Sequence, residues 1–177
     1  MKVIHLISGG DSGGAKTHVL SLLQNLNQTI TAQLVCFRDG PFAEEARSRG
    51  IPTEIMGGNN IPRLQRQLKA YIRAGGYQLI HCHGSRANMV GALLRRLPVV
   101  STIHSDYRLD YMGRPLSRLT FGTINAWALR HLDYRIGVSD AMVDLLISRG
   151  FPPDRFYAIY NGIDFTPPPA QGERLPY

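Results

Sequence analysis

Short apolar runs alternate along this chain with longer stretches in which apolar positions recur at helical spacing. Lys2 to Ser8 reads as a strand buried on both faces, and Ala15, Val19, Leu22, Leu23 and Leu26 mark one face of a following helix. Residues 32–37 give a second strand, 41–49 a short helix opened by Pro41 and closed by Gly50, and 52–56 a third strand. Over 61–74, Ile61, Leu64, Leu68, Tyr71 and Ile72 share one helical face, with Arg63, Arg66, Lys69 and Arg73 opposite. Residues 77–82 form a fourth strand that runs into His83-Gly84-Ser85, ahead of a helix over 86–96. A fifth strand, 98–103, ends at His104. A polar, aromatic loop over 105–114 follows, then a helix opened by Pro115. Residues 134–138 give a sixth strand, Ser139 caps a helix stopped by Gly150, and 156–160 give a seventh.

Such alternation predicts an α/β fold: a doubly wound, mainly parallel sheet of about seven strands with helices on both faces, in the Rossmann-like manner. Ligands of such sheets sit beyond the carboxyl ends of the strands. The unusual residues of this chain fall there: Gly13 and Gly14 after the first strand, His83, Gly84 and Ser85 after the fourth, His104 after the fifth, and Asn161-Gly162 after the seventh. The reading requires them to share one groove.

The glycine-rich bend from Gly9 to Gly14 can bare the amides that open a helix, where the dipole favours a phosphate, or it can be a tight turn that binds nothing. It is neither of two familiar phosphate loops. No glycine among Gly9, Gly10, Gly13 and Gly14 starts a Gly-x-Gly-x-x-Gly series, and Ala15 separates Gly14 from Lys16-Thr17. No Gly-x-Ser-x-Gly elbow occurs either.

A chain of 177 residues suits one domain, 1–165, with a proline-rich linker or tail over 166–177. The net charge of +7 comes from 17 arginines and 3 lysines and fits nucleotides or anionic lipid surfaces. Nucleic acid is not expected, because no recognition helix or RNA-binding signature is present. The basic face over 61–74 suits a solvated helix on the outside of the sheet, with docking at a membrane surface as its alternative. No run approaches the roughly 18 apolar residues of a membrane span, and the first strand begins at once, so the expected compartment is the cytoplasm, extending to the inner face of the cell membrane. Cys36 and Cys82 lie inside strands and are expected as buried free thiols.

His81 and His83 alternate on one strand and face the same side, with Cys82 on the other. A third metal ligand is not evident beside them, so no metal is expected. His104 can hydrogen-bond a sugar hydroxyl, serve as acid or base, or cap its strand. His18 can point into the cleft or pack against the sheet.

Taken in order, Gly13-Gly14-Ala15-Lys16-Thr17-His18-Val19, Ile80-His81-Cys82-His83, Thr102-Ile103-His104, Val138-Ser139-Asp140-Ala141-Met142 and Ile159-Tyr160-Asn161-Gly162-Ile163-Asp164 resemble the N-terminal half of the group 1 retaining glycosyltransferases. The resemblance implies one half of a GT-B fold. It implies transfer of a sugar from a nucleotide-diphosphate donor to an acceptor hydroxyl, on a glycan or lipid-linked glycan, with retention and without a metal or other cofactor. By the same resemblance His104 meets the transferred sugar, and Gly13, Gly14 and Asn161 fall on the donor side. Tyr107, Arg108 and Arg114, with His18, His83 and Ser85, fall on the acceptor side. The spaced glutamates that hold the donor in such enzymes belong to a second domain, and no two of Glu44, Glu45, Glu54 and Glu173 have their separation. The chain is therefore expected to be inactive without that C-terminal partner domain. A non-catalytic nucleotide- or sugar-binding module and half of a sugar-nucleotide epimerase are the competing readings.

Overall fold

The computed structural model describes residues 1–10, 14–58, 60–94, 96–106 and 122–162. Gly13, Tyr107, Arg108, Arg114, the helix start at Pro115 and the tail 166–177 lie outside the described residues. Seven parallel strands, β1 (Lys2–Ile7), β2 (Thr31–Cys36), β3 (Thr53–Ile55), β4 (Leu79–His83), β5 (Val99–Ile103), β6 (Tyr134–Gly137) and β7 (Phe156–Ala158), make one sheet in the order β3-β2-β1-β4-β5-β6-β7. Between them run α1 (Gly14–Leu26), α2 (Pro41–Ser48), α3 (Ile61–Gly75), α4 (Ser85–Ala92), α5 (Thr123–Arg130) and α6 (Asp140–Ser148). The strand order reverses between β1 and β4, the switch point at which such sheets hold ligands.

Strand alternation divides the core in two. Ile4 and Leu6 of β1 and Ile80 and Cys82 of β4 face a layer built with Leu64 and Leu68 of α3 and Leu129 of α5. Ile7 faces the other layer, with Val19, Leu20 and Leu23 of α1 and Phe42 of α2. Each of these large side chains contributes about 1.5–3 kcal/mol by leaving water. Cys36 and Cys82 are buried free thiols, and burial pushes the Cys82 thiol up from its ordinary pKa.

Capping follows the expected chemistry where the ends are polar. Asn60 Oδ1 accepts from Arg63 N–H at 3.0 Å to open α3, and Ser139 Oγ accepts from Met142 N–H at 3.2 Å to open α6. Helix α4 ends at Ala92, well short of residue 96. Leu94 is drawn into the core, and the last turn tightens into bonds from Leu93 N–H to Val90 C=O and Leu94 N–H to Gly91 C=O. Strand β7 stops at Ala158 because β6 offers it only three paired positions.

Arg135 is the one buried cation among the described residues, at 3 % exposure. Its Nε donates to Leu129 C=O at 2.6 Å, and Nη2 donates to the carbonyls of Arg130 and Leu132, each at 3.1 Å. A guanidinium from β6 thereby satisfies carbonyls left open at the end of α5.

Candidate functional site

Beyond the carboxyl ends of β1, β4 and β5 lies a cavity of about 250 Å³. Ser8, Ala15, His83, Ser85, Asn88 and His104 are among the residues that wall it. The first turns of α1 and α4 reach it through Ala15 and Ser85, and neither turn carries an acidic side chain to neutralise its N-terminal amides. Gly84 turns β4 into α4 at φ 85°, a conformation that favours glycine.

Five of the six histidines converge here. His5 on β1 and His81 and His83 on β4 share a sheet face, because β1 and β4 pair with His5 opposite His81 and Ile7 opposite His83. His5 Nδ1 and His83 Nε2 share a hydrogen bond at 3.1 Å, and His81 Nε2 shares one with Thr102 Oγ1 at 2.8 Å. The His83 ring stacks 5.9 Å from His104, and His104 meets His18 of α1 edge-on at 4.9 Å. The sequence left His18 open between cleft and sheet; the structure puts it against His104.

Burial holds these imidazoles neutral. Desolvation, assisted by the neighbouring His18, lowers the His5 pKa to about 3 and the His104 pKa to about 4. The same desolvation drives His81 and His83 well below their ordinary value, and the neighbouring imidazoles add to it. His18 is lowered by its own burial. Among the described residues, two nitrogens of the histidines that wall the cavity, His83 Nδ1 and His104 Nε2, are buried without a hydrogen-bond partner. Each such orphan costs about 1–3 kcal/mol until something bonds it.

His5 is a correction to the sequence reading, which found no third ligand beside His81 and His83. The three rings offer donor atoms within 4.8 Å of one another. Alternation within single strands cannot reveal His5, because only the β1–β4 register brings it alongside. One nitrogen of each ring is hydrogen-bonded, His5 Nδ1 with His83 Nε2 and His81 Nε2 with Thr102 Oγ1, and no carboxylate among the described residues joins the cluster.

A second polar chain was not foreseen. Ser101 Oγ donates to Asn88 Oδ1 at 2.6 Å, and Asn88 Nδ2 donates to Asn125 Oδ1 at 2.9 Å, tying β5, α4 and α5 together behind a cavity wall that includes Asn88 and Asn125. The available signal was spacing: Asn88 follows Ser85 by one helical turn and so shares its face.

The glycine-rich bend divides by role. A Cβ on Gly9, whose φ is 83°, would stand 2.5 Å from the Arg38 carbonyl oxygen, and one on Gly10 would meet the Arg38 guanidinium. These two glycines admit the β2 loop. Gly14 has open space around it and adjoins Ala15 in the cavity wall. Lys16, which a phosphate loop would aim at its ligand, is instead paired with Glu45 of α2 at 2.5 Å. Asp106, two residues past His104, accepts two hydrogen bonds from Arg149, with Nη2 to Oδ2 at 2.6 Å. Asn161 is exposed beyond β7 and outside the cavity wall.

A family model described as Glycosyltransferase Family 4 matches residues 12–166. The chain belongs to that family. Among solved structures, this family 4 domain is similar to Anabaena Alr3699/HepE in complex with UDP. The TM-score is 0.75 at 23 % identity, over 93 % of this chain and 45 % of that one. It is also similar to the lipopolysaccharide outer core galactosyltransferase WaaB, with TM-score 0.67, 15 % identity, and 98 % and 50 % coverage. A putative UDP-N-acetylglucosamine 2-epimerase from Listeria monocytogenes gives TM-score 0.64 and 11 % identity, covering 88 % and 44 %. No curated protein sequence gives a significant match. The family 4 domain thus has the fold of a GT-B N-terminal half and spans about half the length of these solved chains.

Proposed function

We propose that this family 4 domain is the acceptor-side half of a retaining glycosyltransferase. It would move a hexosyl or related sugar from a nucleotide-diphosphate donor to an acceptor hydroxyl on a glycan or lipid-linked glycan, without a metal or other cofactor, on the cytoplasmic side of the membrane. The observation that carries this reading is the convergence of His83 and His104 in the wall of one cavity at the sheet's switch point, each with a buried nitrogen, Nδ1 and Nε2, that has no partner among the described residues. Sugar hydroxyls, each both donor and acceptor, satisfy such nitrogens in either tautomer. Solved structures similar to this chain include complexes of Alr3699/HepE with UDP and with UDP-glucose, which supports a sugar nucleotide as the donor class.

In this reading His104 meets the transferred sugar as a neutral imidazole, as its low pKa requires at neutral pH. The amides that open α1 at Gly14 lie toward the donor diphosphate, where preorganised dipoles stabilise the charge that develops on the leaving group. A second domain completes the donor site, and this chain alone is inactive. Gly13 and Asn161 on the donor side, and Tyr107, Arg108 and Arg114 on the acceptor side, complete the assignment.

The test is His104→Ala in the complete two-domain protein, assayed against a panel of nucleotide sugars. Turnover falls about ten- to a thousand-fold, the worth of one transition-state contact. An unchanged rate overturns the role of His104. Epimerisation or donor hydrolysis that needs no acceptor would instead place the domain with the epimerases.

A further inference from the structure

Charge is distributed unevenly along this chain. Between Glu54 and Asp106 there is no acidic residue, while Arg63, Arg66, Lys69, Arg73, Arg86, Arg95 and Arg96 all fall there. The rest of the sequence carries equal numbers of cations and acids, so this one segment accounts for the whole net charge of +7. The segment includes α3, whose apolar face is buried through Leu64, Leu68 and Ile72. Arg63, Arg66, Lys69 and Arg73 are exposed on its other face, and none is paired with an acid among the described residues.

At the end of α3 the segment folds into a cleft of about 440 Å³. Ile72, Ile80 and Leu97 give it an apolar lining, and Lys69, Arg73 and Arg96 are its cations. Gly76 and Tyr77 precede β4, and Arg96 and Leu97 precede β5, so the cleft opens at the amino ends of the strands, opposite the histidine-lined cavity. Lys2 Nζ donates to Gly75 C=O at 3.1 Å and brings another cation to this end.

We propose that α3 and this cleft form a docking site for a bilayer containing anionic phospholipid. The cations of α3 meet the headgroup phosphates, and acyl methylenes enter the apolar cleft. An apolar recess bordered by cations matches an amphiphile with an anionic head, whereas a single-stranded nucleic acid needs aromatic faces for its bases. The two tyrosines near the cleft do not provide those faces, because Tyr71 and Tyr77 stack on each other at 5.8 Å. No helix among the described residues is long and apolar enough to cross a membrane, so contact would be peripheral. The inference does not depend on the transferase reading, since its readout is lipid binding.

The experiment is co-sedimentation of the complete gene product with vesicles of pure phosphatidylcholine, or of phosphatidylcholine mixed with phosphatidylglycerol, at low and moderate salt. Binding is expected only to the anionic vesicles and weakens as salt screens the headgroups. The triple variant Arg66→Ala, Lys69→Ala, Arg73→Ala alters exposed side chains only. It is expected to lower partitioning about a hundred-fold, at about fivefold per cation near the surface. Monomeric dihexanoyl-phosphatidylglycerol should bind, and neither glycerol phosphate nor dihexanoyl-phosphatidylcholine should compete with it. Equal binding to uncharged vesicles, full binding by the triple variant, or competition by glycerol phosphate overturns the proposal. Binding to duplex RNA as tight as that to the anionic vesicles also overturns it, in favour of a general polyanion surface.

Discussion

The two ends of the sheet use opposite chemistry. At the carboxyl ends, polar side chains are buried, neutral and held by hydrogen bonds among imidazoles, hydroxyls and an amide: His5 to His83, His81 to Thr102, Ser101 to Asn88. At the amino ends, the polar groups are permanent cations at the border of an apolar recess. The first arrangement discriminates by geometry, since a displaced ring leaves a nitrogen without a partner. The second attracts by charge and tolerates imprecise placement. One parallel sheet therefore carries a pocket of buried, neutral polar groups at one end and a cation-bordered recess at the other.

The sharpest way to break this contrast is to exchange the tests between the ends. His104→Ala is expected to cost about ten- to a thousand-fold in turnover and to leave vesicle binding unchanged; the triple α3 variant should do the reverse on a soluble acceptor. Initial rates and co-sedimentation on both proteins check this, and a large cross-effect would show that the ends are coupled.

Next in size is His5→Ala. It leaves His83 Nε2 without its partner in the core, an expected loss of about 1–3 kcal/mol in urea unfolding. Lipid binding should be unaffected.

The smallest and most gradual effect is that of pH. An imidazole whose pKa is depressed on folding binds fewer protons folded than unfolded, so its contribution is complete above the ordinary value near 6.5 and is lost as pH falls toward the folded value. Stability should therefore decline from about pH 6.5 toward about 4 for His104 and about 3 for His5. Urea midpoints measured across this range check the slope, and His104→Gln should make it shallower by one imidazole's share.

Strand count, helix placement and the convergence of His83, Ser85 and His104 were legible from the sequence, because hydrophobic period and strand-end position are local properties. His5 was not, since its role arises from register with β4, and the Asn88–Asn125 contact arises from the packing of α4 on α5. Within the glycine-rich bend the sequence singles out Gly13 and Gly14 and leaves Gly9 and Gly10 without a role, which packing against Arg38 supplies. The partner of Lys16 was hidden for the same reason, because Glu45 comes near only through the packing of α2 beside α1.

Arg135 gives the domain an anchor that acid does not reach. While the imidazoles between β1, β4 and α1 gain protons and repel one another, the guanidinium that fastens β6 to the end of α5 keeps its charge and its three carbonyls. As the pH approaches 4, acid should consequently loosen the molecule from one side, with amide exchange rising first around β1 and β4 while β6 stays protected.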